Sequence, residues 1–108
     1  MIITDGSTYY DADYIVGVST YISKLEGCKV YGYVVGREPI IFEFNNLFEA
    51  FLLKYAILYD IALRNGNSTN KAILMIQKEC SKNNIDFEKV NKSLFRIYNI
   101  SLGRVKNE

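Results

Sequence analysis

The 108-residue sequence predicts an α/β domain, with α+β as the alternative, organised as an antiparallel meander of N-terminal strands, helices packed on that sheet, and a late C-terminal strand. Three observations predict it. Segments rich in β-branched and aromatic residues, punctuated by glycine, fill the first 44 residues. At Asn45-Asn46 the apolar pattern changes to one of helical spacing. No repeat, low-complexity run or linker interrupts the chain, and Pro39 is its only proline, so residues 1–108 read as one domain.

Taken in order, Met1 to Thr8 reads as a strand in which Ile2 and Ile3 lead into a polar end. Tyr14 to Ile22 (YIVGVSTYI) and Lys29 to Val35 (KVYGYVV) follow as strands bounded by Gly27 and Gly36. Gly36-Arg37-Glu38-Pro39 is a turn, and Ile40 to Phe44 (IIFEF) completes the meander. Leu47 to Leu63 holds no Gly or Pro, is apolar on several faces and stops at Asn65-Gly66, which predicts a largely buried helix across the sheet. Ser68 or Thr69 caps a second helix over Asn70 to Ser81, with Ile73, Leu74, Ile76 and Cys80 as its apolar stripe. Asp86 to Leu94 is a third helix. The alternation in Phe95 to Leu102 (FRIYNISL) predicts the last strand, and Gly103 to Glu108 is a charged tail.

Composition narrows the chemistry. The chain has no histidine, which removes the imidazole base, the Ser-His and Cys-His pairs and His-ligated zinc. Cys28 and Cys80 match no metal or redox spacing and read as free thiols of a reducing compartment. No signal-like start is visible, and the most apolar run contains Glu49, Lys54 and Asp60. The expectation is therefore a soluble, cytoplasmic protein that does not enter a membrane. Charge is unevenly spread around a net of +1. Residues 1–70 carry five basic against eight acidic side chains, residues 71–108 eight against four. That division suits either a metal site beside a phosphate-binding face or an ordinary mixed surface.

Two motifs carry the functional argument: an apolar strand ending Thr4-Asp5-Gly6-Ser7, and Asn45-Asn46-Leu47-Phe48-Glu49 opening the first long helix after a meander. Together they resemble the ribonuclease H family, in which a strand-end aspartate of a T-D-G-S segment and a glutamate in the first turn of the first helix bind metal. The resemblance puts Asp5 and Glu49 at those positions, over residues 1–60. Ser68-Thr69-Asn70 occupies a place comparable to the family's third ligand, where Asn70 lacks the charge of an aspartate. Arg104-Val105-Lys106-Asn107 lines up with a stretch preceding the family's last aspartate, and Glu108 is a poor stand-in for it.

The resemblance implies catalytic roles for Asp5, Glu49 and Asn70, with Asp5 and Glu49 holding Mg²⁺ or Mn²⁺. Hard oxygen ligands suit such ions, which activate water and neutralise charge in phosphodiester hydrolysis. The implied substrate is RNA in an RNA/DNA hybrid. Asn45, Asn46, Lys89, Lys92, Arg96 and Arg104 are the candidate nucleic-acid contacts, Lys89, Lys92 and Arg96 by a spacing of three and four that makes a helical stripe.

Each motif has a structural reading too. Asp-Gly is a favoured hairpin turn. With Asn46 as N-cap, Glu49 occupies the usual carboxylate position of a capping box. Asp11, Asp13 and Glu43 read as solvated, Asp60 as paired with a cation, and most tyrosines as core with hydroxyls at the rim. The alternative function is an inactive member or lookalike of this fold, a small binding or inhibitory protein acting through protein or nucleotide contacts. Edge strands that pair two copies into a homodimer are a third possibility.

Overall fold

The computed structural model describes residues 1–25 and 27–102, and its three helices and two antiparallel sheets form a mixed α+β fold. The first sheet is a hairpin bent at Asp5-Gly6, the turn that the structural reading of this motif allows, with a second strand that the sequence reading did not assign. Strand β1 (Ile2–Thr4) pairs with β2 (Tyr9–Asp11), Ile2 opposite Asp11 and Thr4 opposite Tyr9. The expected strand over residues 1–8 therefore ends at Thr4, where Asp5-Gly6-Ser7 bends the chain with Gly6 at φ +102°. A 3-10 turn, Ala12–Tyr14, is capped by the Asp11 carboxylate, which accepts from the Asp13 amide.

The second sheet is the expected meander. Strands β3 (Ile15–Ser23), β4 (Gly27–Val34) and β5 (Ile40–Phe44) lie in the order β3-β4-β5. Register fixes its two faces. Thr20, Val30 and Phe42 are aligned across the inner face; Tyr21, Lys29 and Glu43, then Ser19, Tyr31 and Ile41, are aligned across the outer face.

Helix α1 (Leu47–Arg64) lies against the inner face and is apolar on both sides. Ala50, Leu53 and Ile57 share one core with Ile15, Val30, Phe42 and the hairpin's Ile3. Phe51, Leu52, Tyr55 and Ala56 share a second core with α2 (Thr69–Lys82) and α3 (Phe87–Tyr98). The layers thus run sheet, α1, and the α2/α3 pair. The β1-β2 hairpin shares the sheet-side core, with Tyr10 edge-on to Phe42 at 6.0 Å between ring centroids.

Ser68 caps α2 through its side chain, as expected. The expected C-terminal strand is not formed. Phe95 to Tyr98 instead continue α3, because Val90, Ser93 and Leu94 turn into the core at helical spacing while Phe95 and Ile97 stay half-exposed. Asn99 ends the helix in the left-handed conformation at φ +57°, and the Ile100 amide donates back to the Leu94 carbonyl. No helix of the described residues is long and apolar enough to cross a membrane.

Candidate functional site

Asp5 is built into the hairpin turn. Its Oδ1 accepts from the Ser7 amide at 2.9 Å, the Thr8 amide at 2.8 Å and the Ser7 hydroxyl at 3.1 Å, while Oδ2 accepts from the Tyr10 hydroxyl at 3.1 Å. Thr4 braces the same turn, accepting from the Gly6 amide and donating to the Thr8 carbonyl. The Ser7 amide, then the Thr8 amide, hold the Asp5 carboxyl down to about 2. All its partners lie within five residues, as an Asx turn requires.

Glu49 stands in the first turn of α1, exposed, beside the cap. The Asn46 side chain accepts from the Phe48 and Glu49 amides at 2.8 and 3.2 Å. Glu49 also bears on the end of α3: burial first, and the Glu49 charge second, push the Tyr98 phenol up to about 12. Between β1 and α3 lies a cavity of about 370 Å³ lined by Ile2, Ile3, Thr4, Phe44, Leu53 and Tyr98, among others. None of these linings is a carboxylate.

Asn70 is elsewhere. It opens α2 six residues after α1 ends at Arg64, so it sits by the far end of α1 from Glu49, about 22 Å along the axis at 1.5 Å per residue. Asp5, Glu49 and Asn70 do not converge. Asp60 is committed to Arg64, whose Nε donates to its Oδ2 at 2.9 Å. Among the described residues no three Cys, Asp or Glu side chains are grouped to hold a metal ion.

The basic stripe is assembled. Lys89, Lys92 and Arg96 are exposed on α3, and Lys89 Nζ stands 4.8 Å over the Phe48 ring, next to Asn45 and Asn46 at the entrance of α1. Arg104 and Glu108 lie outside the described residues. Cys80 is buried and its thiol is pushed up by that burial, which disfavours the nucleophilic thiolate.

Sequence reasoning did not single out the outer face of the three-stranded sheet. Among the described residues, no helix lies on the outer face of the β3-β4-β5 sheet. It presents Tyr21, Tyr33 and Ile41 at 48, 41 and 47 % exposure, with Tyr31 half-buried among them. Ser19 and Tyr33 hydroxyls are joined at 2.8 Å, and Lys29 pairs with Glu43 at 4.0 Å, leaving the face without net charge. Of the tyrosines read as core, Tyr55 is fully buried, whereas Tyr9, Tyr14, Tyr21 and Tyr33 are exposed. The available signal was alternation: residues 19 and 21, then 29, 31 and 33, carry this face at period two.

No family model, curated protein or solved structure matches the chain.

Proposed function

We propose that this chain is a binding domain that works by protein contact, through the uncovered face and free edge of its three-stranded sheet. The carrying observation is the pairing of an aromatic, charge-neutral outer face with β3, an edge strand of nine residues that contains neither a charge nor a proline. Soluble proteins ordinarily blunt such an edge with lysine, proline or a covering element. An open edge beside an aromatic face offers main-chain hydrogen bonds and apolar contact together, the combination used in recognition by strand addition.

The state of the two carboxylates favours this reading over a ribonuclease H-like nuclease. Asp5 accepts hydrogen bonds on both oxygens within its own hairpin, and Glu49 flanks a helix cap. The test is incubation of the protein with a labelled RNA/DNA hybrid, duplex DNA and single-stranded RNA, with Mg²⁺, Mn²⁺ or chelator, alongside calorimetry with each metal. No cutting and no metal heat are expected. Metal-dependent cutting abolished by both Asp5→Asn and Glu49→Gln overturns the reading.

One observation favours a second reading, binding of a nucleic-acid backbone along α3. It is the exposure of Lys89, Lys92 and Arg96 at a spacing of three and four on α3, with Lys89 over the Phe48 ring in the first turn of α1. Salt-dependent anisotropy of a labelled oligonucleotide, weakened by Lys92→Ala and Arg96→Ala, is its expected signature.

A further inference from the structure

The geometry points to a second copy of this chain as the occupant of the β3 edge: two β3 strands pair antiparallel about a two-fold axis near Ser19, joining two sheets into one of six strands. The inference rests on the binding reading and names its partner.

The sheet has two edges, and they differ. β5 is short, five residues, follows Pro39 and carries Glu43, so it is blunted. β3 spans nine residues, and along Val16 to Ile22 no strand lies beside its outer edge among the described residues. Val16, Tyr21 and Ile22 are 55, 48 and 55 % exposed there.

Why a second copy fits follows from the side chains. An isologous antiparallel pair sets residue i opposite j and j opposite i, so a charged strand would meet its own charge. β3 has none, and the whole chain is at +1. With Ser19 on the axis, Val18 meets Thr20 of the second copy on the inner face, and Tyr21 meets its Gly17 on the outer face. Alternation is kept for every pair from Gly17 to Tyr21.

The Tyr21-Gly17 pairing repeats one already inside the subunit. Tyr33 is the β4 partner of Gly17, and its ring Cδ2 stands 3.5 Å from where a Gly17 Cβ would be. Gly17 would then lie between two tyrosines, and the two outer faces would join into one continuous aromatic surface.

Ser19 allows a test that spares the core, since its side chain is on the outer face and touches the Tyr33 hydroxyl. Sedimentation equilibrium of the intact protein, in reductant, is expected to give twice the 12.4 kDa chain mass. Ser19→Lys, folded by circular dichroism, is expected to return the single-chain mass, and mixing it with Ser19→Glu to restore the double mass. Should either variant fail to fold, hydrogen exchange of the parent decides: alternate amides from Val16 to Ile22 are expected to slow as concentration rises. A parent that stays monomeric with concentration-independent exchange, or a dimer indifferent to Ser19→Lys, overturns the second copy. Those outcomes leave the binding reading standing, with another polypeptide at the edge; metal-dependent cleavage, and not size, is what removes that reading.

Discussion

The guanidinium of Arg64 donates through Nη2 to the Ile15 carbonyl at 2.6 Å, tying the last residue of α1 to the first of β3. The same nitrogen reaches the Ala12 carbonyl at 3.2 Å, while Nε holds Asp60 at 2.9 Å. One side chain therefore closes the 3-10 turn, starts the meander and finishes the helix.

Arg64→Met is expected to destabilise the fold by about 1–2 kcal/mol, the range for charge-assisted hydrogen bonds reduced for partial exposure of the group. Arg64→Lys is expected to recover less than half of the loss, since an ammonium cannot span Asp60 and two carbonyls with a planar fork. Urea unfolding of both variants, with unchanged m, checks this.

Asp5 predicts an acid limb in stability. Its carboxyl is held at about 2 in the folded chain against 3.8 ordinarily, by the Ser7 and Thr8 amides first. A lowered folded value stabilises above the unfolded value, and the contribution is lost as pH falls through the folded one. Melting temperatures of the parent are expected to fall between about pH 4 and pH 2. Asp5→Asn is expected to melt lower than the parent at pH 7 and to lose part of that acid dependence. Thermal scans across this range decide it; a variant whose curve parallels the parent's would remove the turn's charge from the account.

Gly32→Ala is expected to destabilise by about 1–3 kcal/mol, as overpacking does. An added Cβ would stand 3.1 Å from Ile15 Cδ1 and 3.5 Å from Phe42 Cε2, both in the fully packed inner layer. Gly17→Ala, on the outer face, meets only ordinary contact with Tyr33 and is expected to cost less. Chemical denaturation of the pair compares the two faces of one sheet.

These positions also mark how far the sequence could be read. The meander, α1 and α2 were legible because Ile40 to Phe44, Leu47 to Leu63 and the Ser68 cap carry local signals that packing reinforces. The C-terminal strand was misread because Phe95 and Ile97 alternate over too few residues to separate period two from a helix flank; what decides is that Val90 and Leu94 fill the α1 core four residues apart. The Asp-Gly turn was legible, but its second strand was not, because Tyr9–Asp11 is three residues long and its register depends on that turn. For the site, Asp5-Gly6 and Asn46-x-x-Glu49 each satisfy local backbone geometry, and a motif that completes a turn or a cap carries no information about what lies across space.

Glu49 and Tyr98 supply the last prediction, because their proximity links the entrance of α1 to the end of α3. Burial, with the Glu49 charge second, lifts the Tyr98 phenol to about 12 from an ordinary 10.0. A raised folded value gives stability that is complete below the unfolded value and is lost as pH rises through the folded one, so the alkaline loss falls between about pH 10 and pH 12. Glu49→Gln removes a like charge and is expected to shift the Tyr98 titration downward by a fraction of a unit, with burial keeping it above the exposed tyrosines. Tyr98→Phe is expected to lessen the alkaline limb of the melting curve, the buried Tyr55 phenol, which burial also raises, supplying the remainder, while leaving the acid limb of Asp5 untouched. Site-resolved tyrosine NMR titration of the parent and Glu49→Gln measures the first, and melts from about pH 9 to 12 measure the second. A Tyr98 titration indifferent to Glu49→Gln would separate the two ends and, with them, the carboxylate from the α3 neighbourhood that holds the basic stripe.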